Sequence, residues 1–455
     1  MKRQFFVLML LVIFIKTARA QTADDLLNKA NEKIENKDYE GAIANCDAAL
    51  KLNTSSAWGY NIRGVAKRYL KRYFEAITDY DQSISLEPKY SSAYVNRGNA
   101  KDDLGRYADA IADFDQAITL NPKFATAYNN RALSKDNLGR YADAVSDFDQ
   151  AISVDSKYVH AYGNRGATKI HMGHYADAIV DLDQAITLDP KYTSSYLNRA
   201  LAKYYLARYA EAITDYDQVI ALDPKNAVAF YDRALAKNQL GQYAGAVADF
   251  DDVVALNPQY AGVYHNRGNA KVSLELYADA IADFDKAITS DPKAKSVYID
   301  RGNAKTSLKR FTEAITDYNM ALVLDPSYIV AYNNRADAEN RSGHPLEAIA
   351  DCEKAFVLDP KYSYAYTNRG EAKDKLGHYA EAIADFNRAI ELGLKDSETY
   401  NNRGHAYYKL GTTKANYRKA IADYDMAVKL ATKSYILDFK YRNEAVLAMA
   451  KAKGP

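Results

Sequence analysis

Cysteine is nearly missing from this 455-residue chain. The two residues present, Cys46 and Cys352, are too few for a disulfide framework or a structural zinc site. An excess of either charge is missing too: 60 Lys and Arg stand against 59 Asp and Glu, so no basic field draws nucleic acid and no acidic one mimics it. Of the seven histidines only His171 and His174 lie close together, across a turn and without a third ligand, so no metal site is expected. Glycine-rich phosphate loops, nucleophile elbows and HExxH stretches are all absent. Neighbouring acids such as Asp102 and Asp103 diverge by about 100° on a helix rather than converge. The chain therefore reads as a non-enzyme that needs no cofactor. With 48% apolar and 26% charged residues it is nevertheless of globular composition, which excludes global disorder.

Long apolar runs are confined to the N-terminus. Lys2 and Arg3 precede the 11 apolar residues Phe5 to Ile15, and Ala18-Arg19-Ala20 has the small-x-small pattern of a signal-peptidase site. Eleven residues are about half of a bilayer span. Residues 1–20 thus read as a secretory signal cut before Gln21, leaving a mature chain with 56 basic and 59 acidic residues and no membrane span. The expected location is the periplasm or the exterior of a Gram-negative cell.

What the chain has in abundance is a period. Prolines stand at Pro88, Pro122, Pro190, Pro224, Pro258, Pro292, Pro326 and Pro360, a 34-residue lattice with one vacant node at Ser156. Arginine is stricter: Arg63, Arg97, Arg131, Arg165, Arg199, Arg233, Arg267, Arg301, Arg335, Arg369 and Arg403 are evenly spaced by 34. The third unit reads SSAYVNRGNAKDDLGRYADAIADFDQAITLNPKF from Ser91, taken as position 1. Its apolar and small residues follow helical spacing at positions 4, 8, 10 and 14 and again at 20, 21, 24, 27, 28 and 30, with a break at Gly105-Arg106-Tyr107. The proline at position 32 closes the second helix. Each unit is a helix, a tight turn and a helix, so the fold class is all-α.

Position 20 is Ala in all twelve units, from Ala42 to Ala420, where a small residue lets two helices approach. Position 24 is a large plug such as Tyr80, Phe114, Leu182 or Phe386, with Cys46 and Cys352 as smaller substitutes, buried as free thiols. This pattern resembles the tetratricopeptide repeat family, whose signature places an aromatic, Leu-Gly, Tyr, Ala, Phe and Pro over 34 residues. The resemblance implies an α-α superhelix, a right-handed solenoid of helix-turn-helix units with a concave inner face. The expected organisation is a signal peptide at 1–20, twelve tandem repeats over 23–434, and a C-terminal capping helix and tail at 435–455.

The columns that depart from the family pattern are charged or amide. Position 7 is Arg where the family has Leu, and position 11 is Lys in nine of the eleven units from the second onward. Two cations one turn apart repel, so neutralisation is expected from Asp at position 23, supported by Asp at position 25. Position 6 is Asn at Asn96, Asn130, Asn164, Asn198, Asn266, Asn334, Asn368 and Asn402. In the family this position faces the groove, and a column of carboxamides there is similar to the asparagine ladder in the superhelix of O-linked N-acetylglucosamine transferase. It would grip the backbone of an extended peptide; the alternative is that these amides brace neighbouring helices. Variable groove positions 2, 5, 9, 12 and 13 bring an acidic stretch at Asp102, Asp103 and Asp136. They also bring a candidate apolar pocket at Ile170, Leu197, Leu201, Tyr204, Tyr205, Tyr231 and Leu235. Position 5 is never Lys, which argues against a carboxylate clamp for chaperone tails.

The expected function is a protein–protein interaction scaffold that binds a protein or an extended peptide in its groove, as a monomer. The alternatives are a glycan or cell-wall binding protein using the Tyr and Asn groove, and a periplasmic assembly chaperone for envelope complexes.

Overall fold

The computed structural model describes residues 22–260, 262–411 and 413–430, together with Glu444 and Val446. The expected signal at 1–20 lies outside these residues, as does nearly all of the expected cap at 435–455. Among the described residues there are twenty-four helices, from Ala23–Glu35 to Lys414–Leu430, and no strand. None of these helices is long and apolar enough to cross a membrane.

The helices come in pairs whose local chemistry repeats. In the third repeat the first helix, Ser91–Asp102, ends where Gly105 turns left-handed at φ 71°. There the Gly105 N–H donates to the Asp102 carbonyl and the Arg106 N–H to the Lys101 carbonyl, which satisfies the last carbonyls of the helix. The second helix, Tyr107–Leu120, is capped by the N–H of Asn121 and stops before Pro122. The same turn position is filled by Lys37, Lys71, Ala207, Glu275 and Lys309 elsewhere, all at φ near 60° and therefore strained relative to glycine.

The chain divides into two compact units, residues up to Ala229 and residues from Phe230 onward. In the first unit the core is a series of small clusters shared between neighbouring repeats. Phe114 and Ala110 are fully buried with Val95 of the same repeat and Ala127 of the next, and Phe148 with Ala132, Ala144 and Ala161. Burying each such aromatic contributes about 2–3 kcal/mol, and the small residue at position 8 is what admits the ring: a Cβ on Gly98 would stand 2.7 Å from Phe114. The second unit repeats this arrangement around Phe250, Phe284, Tyr318 and Phe386. Cys46 and Cys352 occupy the plug position as buried free thiols.

Candidate functional site

The first helices carry the charged and amide columns, and the structure joins them into a ladder. Arg97 forms two parallel bonds to Asp113 of its own repeat, at 3.0 and 2.6 Å, and its Nη1 reaches Asp81 of the preceding repeat at 2.7 Å. Lys101 closes on the same Asp113 at 2.7 Å. The Tyr94 ring lies 5.4 Å below the guanidinium. The fork to the position 23 Asp recurs for all eleven arginines, from Arg63 with Asp79 to Arg403 with Asp423. All eleven aspartates are buried. The Asp79 bond is the largest cause holding Arg63 more firmly protonated than usual. The ion pairing expected from the sequence is therefore present, and the Arg column is consumed by structure rather than offered to an anion.

The Asn column also works sideways. Six of the eight carboxamides donate to the preceding repeat: Asn96 to Asn61 at 3.0 Å, Asn130 to Asn99 at 2.8 Å, Asn164 to Asn129 at 3.0 Å, Asn266 to the Tyr231 hydroxyl at 2.6 Å, Asn334 to Asn303 at 2.9 Å and Asn368 to Asn333 at 3.0 Å. Asn198 and Asn402 are half-buried on the same face. Bracing is thus a role of this column, and the oxygens of Asn130 and Asn334 are themselves engaged by Asn129 and Asn333, so that a ligand could use only the remaining N–H and lone pair of each amide.

Of the residues of the expected apolar pocket, five lie in the first unit and two, Tyr231 and Leu235, in the second. Ile170 is 8% exposed and packs with Ala178, Leu182 and Ala202, and Leu201 packs on the same cluster, so both belong to the core of the first unit. Tyr205 stacks on Tyr175 of the preceding repeat at 4.9 Å, and Tyr204 sits edge-on to Tyr205 and Tyr209, while Leu197 is half-buried. Tyr231 and Leu235 pack beside Phe250 in the second unit. Ile170 and Leu201 are taken up where the second helix Tyr175–Leu188 meets the first helices of its own and the next repeat, whereas Tyr205 stays exposed.

A cavity of about 640 Å³ does open in the first unit, lined by Arg68, Asn99, Asp102, Phe114, Asn130, Leu133 and His160. Six of these seven come from positions 2, 6, 9 and 12 of the first helices of repeats two to five. Asp102 accepts a 2.5 Å bond from Ser134, and burial pushes its carboxyl above the usual carboxylate range. Arg68 is held by Asp103 at 2.6 Å. His171 lies 3.2 Å from Asp136 and tilts against Tyr141. Sequence reasoning found Asp102, Asp103 and Asp136 but passed over Arg68, Asn99, Leu133 and His160, although all four occupy positions it marked as variable. In the second unit the corresponding positions of repeats ten to twelve form local pairs, Arg341 with Asp337 at 2.8 Å, Lys375 with Glu371 at 2.7 Å and His405 with Asp374 at 2.9 Å.

The geometry is that of an all-α array of repeated helix pairs with its variable side chains on the first helices. Models of the tetratricopeptide repeat match residues 91–124, 125–158, 159–192, 197–261 and 261–293, and a TPR repeat model matches 302–343 and 375–411. The chain belongs to the tetratricopeptide repeat family, a family of protein–protein interaction scaffolds. Nothing among curated proteins matches it. Among solved structures it is similar to the Cut9–Hcn1 hetero-tetramer of the APC/C (13% identity, TM-score 0.48, covering 96% of this chain and 98% of that one). It is also similar to a tetratricopeptide repeat protein from Parabacteroides merdae (21%, 0.44, 55% and 98%) and to yeast Tom70 (19%, 0.36, 93% and 99%).

Proposed function

We propose that this chain is an exported, non-enzymatic scaffold that takes an extended segment of a partner protein along the first helices of repeats two to five. The observation that supports this most is the cavity at Arg68, Asn99, Asp102, Asn130, Leu133 and His160. Its amides offer both donors and acceptors to a peptide backbone, and Leu133 offers an apolar contact for one side chain. The test is retention of the mature protein on a peptide array compared with polysaccharide pulldown, repeated with Leu133→Glu. Peptide retention that falls at least tenfold in the variant, with helicity unchanged, is the expected result. Retention on glycans alone would overturn the proposal in favour of a cell-wall binding protein.

A further inference from the structure

Two repeats lack the lysine of the ladder: repeat twelve has the neutral Tyr407 in its place, and repeat ten reverses the charge. In nine repeats a lysine at position 11 places its ammonium 2.6–2.9 Å from the buried aspartate, as Lys305 does with Asp317 and Lys373 with Asp385. In repeat ten that position is Glu339. The preceding repeat changes with it: Arg335 Nη1, whose counterparts Arg97 and Arg131 meet an aspartate, here meets the neutral Asn319 at 2.5 Å. One guanidinium, bound to Asp351 at 2.6 and 2.5 Å, therefore faces two buried carboxyls.

The surroundings supply no other cation to Glu339. Its residue is 9% exposed, and Oε2 is buried with no donor among the described residues. Arg335 Nε stands 3.9 Å from Oε1, beyond hydrogen-bond reach. The second helix of the repeat, Pro345–Leu358, faces it with Asp351 and with the more exposed Glu347. Arg341 on its own helix is engaged by Asp337, and Lys375 of the next first helix is engaged by Glu371 and the Asn340 carbonyl. The turn contributes His344, whose Nδ1 meets Ser342.

We infer that a proton shared between Glu339 and Asp351 takes the place of the absent lysine ammonium, which makes repeat ten a proton-dependent weak point in the array. A proton on one carboxyl supplies the donor that Oε2 lacks and restores the balance of one positive to one negative charge. Burial first, and then the Asp351 carboxylate, push the Glu339 acid up to about 8, against the pull of Arg335. In an opened repeat the same carboxyl returns to the ordinary range near 4.3. Opening therefore releases a proton between those two values. The opened population rises with pH until Glu339 is ionised in both states.

The two cysteines give a paired readout, because Cys352 lies in repeat ten and Cys46 fills the same column in repeat one. The experiment is pulsed alkylation of the full chain with N-ethylmaleimide from pH 5.5 to 9, read by mass spectrometry as the ratio of Cys352 to Cys46 labelling. The ratio cancels the common dependence of thiol reactivity on pH. Wild type is expected to show the ratio rising several-fold towards pH 8, Glu339→Gln a flat ratio, and Glu339→Lys a flat and lower one. A flat wild-type ratio, or a rise of the same size in Glu339→Gln, overturns the inference.

Discussion

The ladder makes a sharp distinction between its two aspartate columns, and repeat four is a clean place to test it. Asp147 receives Arg131 at 2.8 and 2.6 Å and Lys135 at 2.6 Å, and its side chain is only 6% exposed. Asp115 makes one bond to the same arginine at 2.5 Å, yet its side chain is 55% exposed. Asp147→Asn leaves two half-buried cations without their anion, a break that costs about 3–5 kcal/mol. Asp115→Asn removes an exposed limb of the clamp, and pairs of that kind contribute about 0.2–1 kcal/mol. Because repeats in such arrays open locally, native-state hydrogen exchange over residues 125–154 is the appropriate assay. Protection there should fall about a hundredfold or more for Asp147→Asn and less than about sixfold for Asp115→Asn. Equal losses in the two variants would refute the reasoning. The chain already contains a version of this contrast: the outer position is Asn at Asn319 and Asn387 and Glu at Glu353, whereas the inner one is Asp opposite every arginine.

Two further outcomes follow from buried polar groups. Tyr80 is fully buried with no partner for its hydroxyl among the described residues, whereas Phe fills the same position at Phe114 and Phe148. Tyr80→Phe should therefore stabilise the first unit by about 1 kcal/mol, measured as a higher denaturant midpoint; a lower midpoint would show that the hydroxyl is satisfied. Asn130→Ala and Asn164→Ala should each cost about 1 kcal/mol in the same assay, since each removes a bond between adjacent repeats. If both variants keep full stability but lose peptide retention, the column serves the ligand rather than the helices.

Much of the fold could be read from the sequence because the repeat imposes the same local chemistry many times. The 34-residue arginine and proline lattices, the alanine at position 20 and the plug at position 24 suffice to predict helix pairs and their core. The pairing of Arg with Asp was also legible, since two cations one turn apart need an anion. The reach of Nη1 into the preceding repeat was not, because it depends on the stagger between neighbouring second helices, which no single repeat encodes. The Asn column shows the same limit: its residues were identifiable, but whether an amide points along the groove or across to its neighbour is set by packing between repeats. Ile170 shows a related limit, since position 12 carries Arg68 at a cavity wall in one repeat and a core side chain in another.

The three-way arginine clamp has a consequence for how long such a chain can be. Because most of the arginines take one aspartate from their own repeat and another from the repeat before it, removing or inserting a block of 34 residues among those repeats leaves the clamp on either side of the join complete. A block of any other size within a helix places a guanidinium opposite the wrong residue; the turn between the helices does take extra residues, as in repeat twelve, where Arg403 still meets Asp423. Outside the turns, length is therefore adjustable only in whole steps, and most of the steps are interchangeable. Two steps are exceptions: Asn319 is matched with Glu339 between repeats nine and ten, and Asn387 with Tyr407 between repeats eleven and twelve, so splicing any of these repeats to a standard neighbour leaves a charge without its counterpart.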